Sequence, residues 1–202
     1  SVWRNAGRED WTMAVNLSAL QFRHASLIRT VRETLKRHLL EPGCLTLEIT
    51  ESTAMHDVDA SLRILEQLHD MGVRISIDDF GTGYSSLLYL KRLPASELKI
   101  DRGFIRDLAR DTEDAAIVSA IVALGQTLNL NIVAEGVETR AQQEFLTRLG
   151  CDSLQGFLLG HPMSADDLID VLAPDGLLHE GARLRGASEV DAWLAPVVGE
   201  AG

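Results

Sequence analysis

No pair of cysteines in this 202-residue chain falls in a C-x-x-C pattern, and only two, Cys44 and Cys151, occur at all. That excludes a disulfide framework, and two well-separated thiols fit the reducing cytoplasm. No apolar run approaches the length of a membrane span. The first residues, Ser-Val-Trp-Arg-Asn, hold neither an initiator Met nor a signal-peptide apolar segment. The chain therefore reads as a cytoplasmic piece of something longer, any membrane anchoring being left to an upstream segment. Positive charge is scarce too: 19 Lys and Arg stand against 30 Asp and Glu, for a formal net charge of −11. This excludes sequence-independent binding to a nucleic acid polymer, which needs clustered basic residues, and a phosphate ligand here calls for bridging cations. The histidines, His24, His38, His56, His69, His161 and His179, form no H-E-x-x-H pair, so each reads as a surface or helix residue.

What is present has the balance of one globular domain, 46% hydrophobic and 24% charged. Short apolar runs with strand character alternate with longer amphipathic stretches, the mark of an α/β fold built from βα units. Strands are expected at Thr12 to Leu17, Leu45 to Ile49, Arg74 to Ile77, Glu97 to Ile100, Asn131 to Ala134 and Ser153 to Leu158. Helical periodicity is clearest from Ala60 to Met71, with Leu62, Ile64, Leu65 and Leu68 on one face and Gly72 at its end. It recurs from Asp114 to Leu128, with Ala116, Ile117, Ala120, Ile121 and Leu124 as the apolar stripe. Shorter helices fit Leu27 to His38, Arg140 to Leu149 and Ala165 to Leu172. The expected organisation is a barrel domain over 1–173 and a Gly- and Ala-rich tail over 174–202, helical or loosely ordered, with one apolar patch around Trp193.

Each strand candidate ends in a group able to bind or catalyse: Asn16, Glu48, Asp78 with Asp79, Lys99 with Asp101, Glu135, and Gln155. An open sheet concentrates its site at one switch point, whereas a closed TIM-type (β/α)₈ barrel draws on the C-terminal ends of several strands. The pattern favours the barrel. Such a barrel takes about 250 residues, and about six of its eight βα units are recognisable here.

Glu48, Asp78, Asp79 and Glu135 are acids expected at one barrel mouth. Hard oxygen ligands without soft partners suit Mg²⁺ or Mn²⁺ rather than Zn²⁺. Neighbouring strand residues point to opposite faces, so Asp78 and Asp79 reach one site only where the chain leaves the strand, as at a turn beginning at Phe80-Gly81. The alternative for Asp79 is a cap on the next helix. The loop Asp79-Phe80-Gly81-Thr82-Gly83-Tyr84-Ser85-Ser86 has glycines that allow close backbone approach, but it lacks the G-x-G-x-x-G spacing of a dinucleotide site. Lys99 sits in a strand fit for the interior, where an ammonium needs carboxylate partners; an ion pair with Asp101 or an outward-facing surface position are the other readings.

These blocks resemble the EAL family of cyclic di-GMP phosphodiesterases from about Trp11 to Leu172. The matching stretches are Val-Asn-Leu-Ser at 15–18, Leu-Glu-Ile-Thr-Glu-Ser at 47–52, Asp-Asp-Phe-Gly-Thr-Gly-Tyr-Ser-Ser at 78–86, Leu-Lys-Ile-Asp at 98–101, Ala-Glu-Gly-Val-Glu-Thr at 134–139 and Gln-Gly-Phe at 155–157. The resemblance implies hydrolysis of cyclic di-GMP to linear pGpG with two divalent ions, Mg²⁺ or Mn²⁺. It implies Asn16, Glu48 and Asp78 as ligands of one ion, with Asp78 bridging to a second held by Asp79 and Glu135. Lys99 would hold the attacking water or offset charge, and Gln155 would orient the water or the ligand. Glu51 would anchor the loop from Asp79 to Ser86, Asp101 and Glu138 would support the ligands from behind, and Gln21 would lie near the substrate. It also implies a homodimer through the barrel loop region and an upstream sensory or GGDEF-type domain in the parent.

One departure is large: no Glu-Ala-Leu triplet occurs in the sequence. In the family that glutamate is a metal ligand on the second strand, so the resemblance implies a barrel incomplete at its N-terminus. The enzyme reading competes with a non-catalytic cyclic di-GMP receptor or a fragment inactive alone, both of which the missing glutamate favours, and with a purely structural interaction domain.

Overall fold

The structure, a computed structural model, describes residues 11–83, 87–108 and 112–164. The helix expected at Ala165 to Leu172, the tail with Trp193, and Tyr84 to Ser86 lie outside the described residues.

The elements alternate as the periodicity requires. They run β1 Met13–Asn16, α1 Ala19–Phe22, α2 Leu27–Arg37, a 3₁₀ turn Pro42–Cys44, β2 Leu45–Thr50, α3 Glu51–His56, α4 Val58–Asp70 and β3 Arg74–Phe80. Next come α5 Leu87–Leu90, β4 Glu97–Ile100, α6 Arg102–Arg106, α7 Thr112–Thr127, β5 Asn131–Ala134, α8 Arg140–Leu149 and β6 Ser153–Leu154. The strand order is sequential, β1-β2-β3-β4-β5-β6, the order of a TIM-type barrel. β1 with β2, β2 with β3, and β5 with β6 pair in parallel. The described chain divides into two compact units, residues 11–98 and 99–164, with the boundary inside β4.

β2, β3 and β4 are buried on both faces, and the two faces differ in chemistry. Leu47, Ile49, Ile75, Ile77, Leu98 and Ile100 point one way along their strands. Thr46 and Glu48 on β2, Ser76 and Asp78 on β3, and Glu97 and Lys99 on β4 point the other. Each apolar side chain removed from water stabilises the fold by about 1.5–3 kcal/mol, which offsets the cost of burying the polar row.

Two expectations need correction. β6 ends at Leu154 rather than Leu158. Gly156 packs its Cα against the Val137 backbone so closely that a Cβ would collide with it, and Leu159 and Gly160 turn back to hydrogen-bond the Gly156 carbonyl. The stripe on α7 is also rotated: Val118, Ile121, Val122 and Gly125 are buried, while Ala116, Ile117 and Ala120 are exposed. This helix is apolar on several sides, so periodicity alone does not choose its inner face. Gly125 does, because only a residue without a side chain lets the helix rest directly on Ile132 of β5.

Candidate functional site

In the first unit, the register across the sheet places site residues side by side. Asn16 pairs with Glu48, Glu48 with Ser76, and Thr50 with Asp78. Glu48 and Asp78 are buried, while Asn16 at the sheet's outer strand is exposed. Ser76 donates its hydroxyl to Glu97 Oε1 at 3.0 Å, so its single proton goes to that buried carboxylate and not to Glu48.

Asp79 explains how two adjacent acids share one strand end. Its φ of +54° lies in the left-handed region, which costs an L residue about 1 kcal/mol and is tolerated best by Asp, Asn and Gly. The turn then runs from Asp79 to Thr82 with Phe80-Gly81 at its centre, the pair where the sequence places it. The Asp79 N–H donates to Asp78 Oδ1 at 2.9 Å, and its carbonyl accepts from the Thr82 hydroxyl at 2.8 Å. Asp79 therefore begins the turn that leaves the strand. Glu51 holds that turn from the side: its Oε2 accepts the Gly81 N–H at 2.8 Å, and a Cβ on Gly83 would meet its Oε1 at 2.8 Å. Glu51 is fully buried at the first position of α3, where the helix dipole favours a carboxylate.

In the second unit, Lys99 Nζ lies 2.6 Å from Glu135 Oε1, with the lysine side chain 4% and the glutamate 19% exposed. The backbone joins the same two strand ends, Glu135 N–H donating to the Ile100 carbonyl. Asp101 caps α6, accepting the Gly103 N–H at 2.7 Å. The side chain of Glu138 is exposed. Gln155 is held by its backbone, accepting from Val137 N–H and donating to the Ala134 carbonyl. Its Oε1 is buried and finds no hydrogen-bond partner among the described residues, which is the state of a group shaped for a ligand or water. Gln21 is otherwise engaged: Ser18 and Gln21 form a reciprocal capping box at the start of α1, Gln21 Oε1 accepting the Ser18 N–H at 3.0 Å. The S-x-x-Q spacing is itself the sequence signal of that role.

The donors of the first unit fit a hard divalent cation in kind, two carboxylates and an amide oxygen with no nitrogen or sulfur ligand. Among the described residues no three His, Cys, Asp or Glu side chains stand close enough to hold one ion. Sequence reasoning passed over two buried groups: Glu97, and Gln142, which sits in a T-x-x-Q capping box with Thr139. No helix among the described residues is long and apolar enough to cross a membrane.

Residues 1–162 match the EAL domain family. The chain is 74% identical over 172 residues to the bifunctional diguanylate cyclase/cyclic di-GMP phosphodiesterase MucR of Pseudomonas aeruginosa, a match covering 85% of this chain and 25% of MucR. It therefore spans about a quarter of the length of that relative. The solved PaMucR phosphodiesterase in complex with c-di-GMP matches with a TM-score of 0.81 at 76% identity, over 83% of this chain and 68% of that one. A manganese and cyclic di-GMP complex of BlrP1 from Klebsiella pneumoniae matches with a TM-score of 0.68 at 31% identity, over 76% of this chain and 40% of that one.

Proposed function

This chain belongs to the EAL domain family, and on that premise we propose that it hydrolyses cyclic di-GMP to linear pGpG. The observation that carries the reading is the buried Lys99–Glu135 pair at a strand end, since a binding module has no chemical need for an ammonium held that deep. Asn16, Glu48 and Asp78, two carboxylates and an amide oxygen of the first unit, would hold a divalent cation, Mg²⁺ or Mn²⁺. When bound, such ions neutralise phosphate charge and lower the pKa of water.

The chain's own groups then have distinct tasks. Lys99 Nζ donates to the attacking water or to a phosphate oxygen, offsetting charge that grows as the water oxygen bonds to phosphorus and the bond to a ribose oxygen breaks. Glu135 holds that ammonium in place. The unsatisfied Gln155 Oε1 accepts a hydrogen bond from the water or from the ligand and so orients it. Glu51 keeps the turn after Asp79 fixed through Gly81. The same reading has a cytoplasmic homodimer form through the loop region after β3.

A second reading, a receptor that binds cyclic di-GMP without cleaving it, is favoured by the lack of any three-acid group among the described residues. Product chromatography on the intact protein with Mg²⁺ or Mn²⁺ separates the two. Formation of pGpG, lost in Glu135→Gln with cyclic di-GMP affinity kept within about tenfold, is the enzyme's result. Tight binding with no pGpG is the receptor's.

A further inference from the structure

Lys99 and Glu135 close the ends of β4 and β5, and a single buried side chain ties together the segments that leave those two strands. β4 leads through Asp101 into α6, and β5 leads through residues 135–139 into α8. A five-residue helix such as α6 cannot satisfy its own last carbonyls. Gln142 Nε2 satisfies two of them, donating to Ile105 O at 2.9 Å and to Arg106 O at 3.2 Å. Its Oε1 accepts from the N–H groups of Glu138 at 2.9 Å and Thr139 at 2.8 Å. All the bonds an amide side chain can make are thereby used, in a residue 5% exposed. The other end of α6 touches the same loop: Gly136, with φ +70°, lies so near Arg102 that a Cβ would stand 2.6 Å from the Arg102 Cβ. The segment beginning with Glu135 is thus clamped to α6 at both ends of that helix.

We propose that Gln142 is a positioning residue, which sets the Lys99–Glu135 pair by locking the loop after β5 to the helix after β4. A capping box for α8 needs only the acceptor oxygen, and a glutamate would serve it equally. The two donors have no task in that cap; they reach α6, which begins three residues beyond Lys99. An error of about 1 Å in a reacting group costs on the order of a hundredfold in rate, so a clamp with no slack has a catalytic use. The inference rests on the proposed hydrolysis for its rate effect, but its structural half stands apart from it.

The test uses the intact protein carrying Gln142→Glu, which keeps the acceptor for Glu138 and Thr139 and removes both donors. Three readouts are taken: kcat and KM for pGpG formation, the melting temperature, and the ¹⁵Nζ–H NMR signal of Lys99, which buried ion pairing protects from exchange. The expected result is a folded protein with kcat down at least tenfold, KM within twofold, and the Lys99 signal shifted or lost. An unchanged Lys99 signal overturns the proposal, whether or not kcat falls, since the effect would then travel by another route. If Gln142→Glu does not fold, Gln142→Met, of similar volume, is read the same way; failure of both to fold would make Gln142 a general support of the fold and also overturn it. If the unsubstituted protein makes no pGpG, the proposed function falls, while the Lys99 signal alone still decides what Gln142 does.

Discussion

In residues 11–98, buried carboxylates accept hydrogen bonds from neutral donors: Glu51 from the Gly81 N–H, Asp78 from the Asp79 N–H and Glu97 from the Ser76 hydroxyl. In residues 99–164, by contrast, the carboxylate of Glu135 meets the ammonium of Lys99. A neutral donor satisfies an oxygen lone pair without cancelling its charge, whereas an ammonium cancels it. These hydrogen bonds thus bring neutral donors to the buried acids of the first region, and an ammonium to Glu135 in the second.

The comparison breaks most sharply at Lys99. Lys99→Met leaves Glu135 partly buried without its counter-charge, and the expected loss is about 3 kcal/mol in unfolding free energy, at the low end for a broken buried pair because Glu135 retains some exposure. Urea denaturation measures it. A stability within error of the parent protein would mean that the second region does not depend on charge cancellation.

A smaller loss is expected from Glu51→Ala in the first region. It removes the acceptor of an exposed loop's N–H, which water replaces in part, so about 1 kcal/mol is lost. The signature is local: amide hydrogen exchange at Gly81 quickens by roughly fivefold or more, while amides in β4 and β5 keep their rates. A uniform change across the chain would show Glu51 supporting the whole fold instead of one turn.

A further effect is one of pH. Burial, and secondarily the charge of Asp152, pushes the Cys151 thiol up to about 11 from 9.0. The folded state therefore prefers the neutral thiol more than the unfolded chain does. That contribution is fully present below pH 9 and is lost as pH rises toward 11. Melting temperatures measured across this window should fall more steeply for the parent protein than for Cys151→Ala. Parallel curves would show that the second region tolerates a new negative charge as readily as the first.

Much of this architecture is legible from residue order. β4, β5 and α8 begin and end where the alternation of apolar runs and amphipathic stretches places them. Glu48, Asp78 and Lys99 are readable as unusual because a charged residue inside a strand otherwise fit for burial demands a partner. Other features carry no local signal. Which side of α7 faces inward depends on the contact between Gly125 and Ile132, and Gln142 shows its meaning only when Ile105 and Arg106, more than thirty residues away, come within reach.

The amino-acid sequence by itself determined the alternating α/β plan, the excess of negative charge and the list of strand-end groups, because periodicity, composition and strand boundaries are properties of neighbouring residues. Only the tertiary structure decided which groups are partnered. Lys99 pairs with Glu135, more than thirty residues on, rather than with Asp101 beside it. Asp79 adopts a left-handed φ that an aspartate tolerates but does not require. The first is settled by the distance between segments far apart in the chain and the second by a backbone torsion, and neither is written in residue order.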